Sequence, residues 1–101
     1  MPESFISPEI RIPCGKPKRN NIIQKLKDIL NELDRNYSDL DGIRIENEKG
    51  WYLVRESNSE DVLTVRLEGY SQDNFNFILK DLSNIMGTAG VRLPIDNLIA
   101  R

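Results

Sequence analysis

The stretch Gly50-Trp51-Tyr52-Leu53-Val54-Arg55-Glu56-Ser57-Asn58-Ser59-Glu60-Asp61-Val62-Leu63-Thr64-Val65-Arg66-Leu67-Glu68 sets the architecture of this chain. It reads as two apolar strands around one polar loop. In the second strand Leu63, Val65 and Leu67 alternate with Thr64, Arg66 and Glu68, so one face is apolar and the other polar. The loop, Arg55 to Asp61, gathers a guanidinium, hydroxyls and a carboxamide. Those are phosphate donors: a planar fork from Arg55, rotatable O–H groups from Ser57 and Ser59, an amide from Asn58. Backbone N–H groups in a tight turn add an anion-binding concavity. The same residue types also make an ordinary polar turn. Glu56, Glu60 and Asp61 count against phosphate unless the fold turns them away from it.

Working upstream, Glu48-Lys49-Gly50 turns the chain, and Ile43 to Glu46 alternates again, with Ile43 and Ile45 inward. Three consecutive strands on short links predict an antiparallel meander. Asp41-Gly42 is a turn signal. Before it, Ile22, Ile23, Leu26, Ile29, Leu30 and Leu33 recur at helical spacing and predict a helix from about Arg19 or Asn20 to Arg35. Asn20 or Asn21 is its expected cap. Ile10 to Pro13 is a short strand ended by proline, and residues 1–9, with two prolines and two serines, form an arm.

Downstream, Ser71 caps a second helix whose stripe is Phe75, Ile78, Leu79, Leu82, Ile85 and Met86, with Gly87 as its stop. Residues 88–101 have no clear period. The domain therefore spans 10–87, followed by a tail. The order β-α-β-β-β-α predicts an α+β two-layer sandwich: a four-stranded, mainly antiparallel sheet with both helices on one face. Its open face shows Arg44, Thr64, Arg66 and Glu68.

Composition excludes several functions. The chain has 101 residues and a net charge of −2, which suits one domain without the basic face of a nucleic-acid binder. No apolar run approaches the ~18 residues of a membrane span. A single cysteine, Cys14, forms no internal disulfide and fits a reducing cytoplasm. Histidine is absent, which removes the commonest general base and metal ligand. No nucleophile–base pair and no metal-ligand cluster is visible; Asp39 and Asp41 beside a turn are too few. We therefore expect no catalytic and no metal-binding residue here. Arg44 and Arg66 pair with Glu46 and Glu68 on a solvated face, and Trp51 is expected in the core.

Asp41-Gly42-Ile43-Arg44, then Gly50-Trp51-Tyr52-Leu53-Val54-Arg55-Glu56-Ser57-Asn58-Ser59, then Arg66-Leu67-Glu68, resembles the C-terminal, fourth domain of the α-D-phosphohexomutases, the phosphoglucomutase and phosphomannomutase family. Its pattern is D-G-x-R, G-W-x-x-x-R-x-S-N-T-x-P and R-x-E. Ser7-Pro8-Glu9-Ile10-Arg11 is similar to the family's entry into this domain, so the likeness runs from about Ser7 to Leu82. Two positions depart: Ser59 stands for threonine and keeps the hydroxyl; Asp61 stands for proline and adds a charge.

The resemblance implies that Arg55, Ser57, Asn58 and Ser59 grip the phosphate of a hexose phosphate. It also implies that the domain binds no cofactor itself. The Mg²⁺ and the active-site phosphoserine would lie in preceding domains, which are its implied partners. The parent would be an isomerase of carbohydrate metabolism, an intramolecular phosphotransferase, and this domain its lid, inactive alone. The rival readings are a stand-alone ligand-binding or regulatory α/β sandwich, and an RNA-binding sheet. The last is disfavoured by acidity and by the lack of paired aromatics on the open face.

Overall fold

The structure, a computed structural model, describes residues 5–7, 9–40, 42–57 and 60–93. Among the described residues seven elements follow one another: β1 (Phe5–Ile6), β2 (Ile10–Pro13), α1 (Lys16–Glu32), β3 (Ile43–Asn47), β4 (Gly50–Glu56), β5 (Val62–Gly69) and α2 (Gln72–Thr88). The α+β sandwich is as expected, but the antiparallel sheet has five strands. The extra one, β1, lies within the stretch read as an arm.

The strand β5 organises the sheet. On one side it pairs with β4, Val54 opposite Val65 and Tyr52 opposite Leu67. On the other it pairs with β2 at Val62–Val65 and with β1 at Glu68–Gly69. Ser7 bridges the break between those two short strands. Its N–H donates to the Leu67 carbonyl (2.9 Å), and its Oγ accepts from the Leu67 N–H (3.0 Å). The backbone of a central strand is thereby satisfied where no regular partner runs. Strand β3 closes the far edge on β4, Ile45 opposite Tyr52.

Period-two alternation sends Ile43 and Ile45, Tyr52 and Val54, and Leu63, Val65 and Leu67 into the core, each nearly or wholly inaccessible. The helices cover that face. Leu79, Leu82 and Met86 of α2 and Leu26 and Leu30 of α1 join the same cluster. Val91 and Leu93, after α2, are buried there too.

The helix ends differ from the sequence expectation, for local reasons. Helix α1 begins earlier, after Gly15, with Pro17 in its first turn, where a missing N–H costs nothing. Asn20 and Asn21 therefore lie inside the helix and cap nothing. It also ends earlier, because Asp34 turns to φ 56° and the Arg35 N–H closes back on the Leu30 carbonyl at 2.9 Å. Leu33, expected in the apolar stripe, is left 51% exposed just past the helix. In α2 the Ser71 hydroxyl accepts from the Asn74 N–H at 3.1 Å, as expected of an N-cap. Gly87 does not stop this helix; Gly90 does. It takes the left-handed φ of 91°, and the Val91 N–H reaches the Met86 carbonyl at 2.8 Å.

Candidate functional site

The β4–β5 connection leaves the sheet at the end where β2 meets α1. Val54 points into the core, so the alternation aims the next residue, Arg55, to the open side, where it is exposed. In register, Arg55 and Arg11 flank Thr64 from both neighbouring strands. Thr64, expected on the open face, is only 8% exposed between them. Its hydroxyl also reaches the Arg55 carbonyl at 3.4 Å.

Gly42 fixes how closely β3 approaches this point. It has φ 98°, and a Cβ there would lie 2.4 Å from the Val54 carbonyl oxygen and 2.8 Å from the Arg55 Cβ. Only glycine lets the chain enter β3 so close to the base of Arg55. Beside them an open cleft of about 460 Å³ separates Gly42, Arg55 and Glu56 from Asn20, Gln24 and Lys27 of α1.

The loop base is knotted by short bonds. The Ser57 N–H donates to the Val62 carbonyl at 3.1 Å, and the Val62 N–H to the Glu60 carbonyl at 2.9 Å. The Glu60 N–H donates to Ser57 Oγ at 3.3 Å. A hydroxyl that accepts one bond keeps its O–H as a donor, so Ser57 can still serve an anion. The structure thus brings Arg55 and Ser57 to one loop; Asn58 and Ser59 lie outside the described residues.

The unfavourable carboxylates have partners. Glu60 is ion-paired with Arg11 of β2. That contact, chiefly its hydrogen bond, holds the Arg11 guanidinium above its ordinary pKa. Asp61 Oδ1 accepts from Arg19 of α1 at 3.0 Å. Two of the three negative charges are thus drawn toward the β2–α1 corner. Glu56 stays half-buried, beside the cleft.

The rest of the open face is a structural network. Arg44 stacks on Trp51, 4.8 Å from the ring centroid, and pairs with Glu46 at 3.6 Å. Trp51 Nε1 donates to Glu68 Oε1 at 2.9 Å. Trp51 is therefore not in the core; Tyr52, its neighbour, takes the inward position. On the helix side Arg35 and Asp81 form a two-point ion pair, one bond of it 3.0 Å, beside the buried Tyr52 hydroxyl. That hydroxyl has no hydrogen-bond partner, and burial raises its pKa. Among the described residues no group of three or more His, Cys, Asp or Glu side chains is placed to hold a metal. Nor is any helix long and apolar enough to cross a membrane.

Arg11, Arg19 and Gly42 are the site residues that sequence patterning did not single out for this role. Along the chain Arg19 is simply a neighbour of Lys16 and Lys18. Its burial depends on partners from two distant segments, which no local spacing encodes.

Fold and site define an α+β domain with an arginine-bearing loop at one end of its sheet. The model of the phosphoglucomutase/phosphomannomutase C-terminal domain matches residues 9–85, and the chain belongs to that family. It is 31% identical over 95 residues to a phosphomannomutase/phosphoglucomutase of Pseudomonas aeruginosa, covering 94% of this chain and 20% of the relative. It is 33% identical over 88 residues to a probable phosphoglucosamine mutase of Pyrococcus furiosus, covering 84% and 19% respectively. A phosphoglucomutase/phosphomannomutase family protein of Burkholderia thailandensis superposes with a TM-score of 0.73 at 25% identity. That match covers 88% of this chain and 18% of the other. The chain thus spans about a fifth of the length of these relatives.

Proposed function

We propose that this chain is the substrate-phosphate-binding lid of a phosphohexomutase that interconverts hexose 1- and 6-phosphates. The observation that carries this is Arg55: an exposed guanidinium at the end of an otherwise apolar strand, on a loop shared with Ser57, with Glu60 and Asp61 engaged elsewhere. Membership of the mutase family supports it.

In this reading Arg55 supplies a charge-assisted, two-pronged contact to phosphate. Ser57 adds an O–H donor, and Asn58 and Ser59 complete the set. Arg55 and Ser57 stand on a sheet end whose neighbouring strands are paired, so these two keep their mutual geometry. Closing such a lid over a sugar phosphate excludes water and orients the phosphate for transfer. The Mg²⁺ and the phosphoserine of the transfer step would come from domains outside this chain, in the cytoplasm. The chain alone would bind without turning over.

The test is amide chemical-shift mapping during titration with glucose 1-phosphate. Shifts should centre on Arg55 and Ser57. Arg55→Ala should weaken binding ~10–100-fold, the worth of one hydrogen bond to a charged group, ~1.5–3 kcal/mol. Shifts centred elsewhere, or an Ala variant that binds as well, would refute the site.

A further inference from the structure

We propose that Arg19 and Asp61 form a latch that anchors the base of the phosphate loop and so positions Arg55 and Ser57, which makes them positioning residues. The proposal rests on the phosphate reading of the loop given above.

The Arg19 guanidinium is the most deeply buried charge among the described residues, its side chain 8% exposed. A buried cation needs partners, because desolvation penalises it otherwise. Arg19 finds two on one nitrogen. Its Nη1 donates to the Cys14 carbonyl at 2.6 Å and to Asp61 Oδ1 at 3.0 Å, while its Nε donates to nothing. Both acceptors lie where β2 meets the loop. The Cys14 N–H in turn donates to the Asp61 carbonyl at 2.8 Å. Asp61 is therefore gripped through its side chain and its backbone at once, by groups belonging to the β2–α1 corner.

That grip sits one residue from β5 and one from Glu60. Glu60 closes the loop base through Ser57 Oγ and the Val62 N–H, and is itself paired with Arg11. The loop carrying Arg55 and Ser57 is thus anchored at its far end to a different layer of the fold. Asp61 is 82% exposed on its side chain, so water screens its Coulomb attraction. What remains is directional: an acceptor at a fixed point, set by a donor that packing holds still. A preorganised loop binds more tightly because less ordering is left to do on binding.

Charge and geometry predict opposite signs here. If Asp61 were only a negative charge near an anion site, removing it in any way would tighten phosphate binding. If it is a latch, Asp61→Ala loses the acceptor and weakens glucose 1-phosphate binding about fivefold, the worth of one ordinary hydrogen bond. Asp61→Asn keeps an acceptor oxygen, drops the charge, and binds at least as well as the parent. Arg19→Met keeps a buried stem, loses the donor and matches Asp61→Ala, and the double variant is no weaker than either single one.

The experiment is a glucose 1-phosphate titration of these variants of the 101-residue chain by NMR, with amide exchange at Ser57 and Val62 measured without ligand. Faster exchange at both in Asp61→Ala, with weaker binding, supports the latch. Unchanged exchange, or tighter binding by both Asp61→Ala and Asp61→Asn, overturns it. Parent protein that ignores glucose 1-phosphate refutes the phosphate reading, while exchange at Ser57 and Val62 still decides the latch.

Discussion

Replacing Gly42 with alanine should destabilise the fold by ~2–5 kcal/mol, through two effects that can be separated. The first is conformational. Gly42 has φ 98°, and an L-residue held at positive φ loses ~1–2 kcal/mol. The second is steric. The new Cβ would lie 2.4 Å from the Val54 carbonyl oxygen and 2.8 Å from the Arg55 Cβ, whereas ordinary contact begins at 3.4 Å. One of the two strands must move by roughly 1 Å (3.4 − 2.4 Å). The obstructing atom is backbone of β4, held between β3 and β5, so it cannot swing aside as a side chain would. Overpacking of this kind costs ~1–3 kcal/mol.

Gly90→Ala isolates the first effect. Gly90 has φ 91° but nothing within 4 Å of a would-be Cβ, so it should lose only the ~1–2 kcal/mol of the backbone. Urea denaturation of the two variants, read by tryptophan fluorescence and helical circular dichroism, gives both values. Gly42→Ala should also shift the Arg55 amide, since the two residues touch. Equal losses for the two variants would show that the approach of β3 to Arg55 is not the constraint.

Two further outcomes test the core. Tyr52 is buried and its hydroxyl ionises only well above the ordinary ~10, chiefly because burial disfavours the anion. Above pH ~10 the unfolded chain loses this proton and the folded one keeps it, so stability falls as pH rises. Tyr52→Phe should flatten that alkaline loss and cost little at neutral pH, because the hydroxyl it removes has no partner. An equally steep alkaline loss in the Phe variant would point to another group. Leu79→Ala removes a wholly inaccessible side chain beneath the sheet and should cost ~2–5 kcal/mol in urea; a loss under ~1 kcal/mol would mean that α2 packs more loosely than described.

Much of this protein is legible in local pattern. Val54, Leu63, Val65 and Leu67 alternate, and they are the residues the sheet buries. Phe75, Ile78, Leu79 and Leu82 recur at helical spacing, and they are the face α2 lays on the sheet. Such periods survive because side-chain direction follows from backbone geometry alone. The D-G-x-R and G-W residues likewise sit in one short segment, so the family was readable from them.

What failed was one local turn and whatever depended on a remote partner. Leu33 fits a helical stripe, yet the chain turns at Asp34 and leaves it exposed. Trp51 has the bulk of a core residue, but the register that takes Tyr52 inward sends it out to Glu68 and Arg44. Phe5 and Ile6 carry too short a pattern to read as a strand; the open edge of β5 makes them one.

The amino-acid sequence by itself determined four of the five strands, the two helices apart from their ends, the family and the loop at Arg55. Only the tertiary structure decided what becomes of the charges around that loop. Glu60 and Asp61 look hostile to phosphate along the chain, because a sequence shows their sign but not their neighbours. In the fold Arg11 arrives from β2 and Arg19 from α1, 49 and 42 residues away, and the two carboxylates gain cationic partners. Electrostatic interaction falls with distance through space and is blind to distance along the chain.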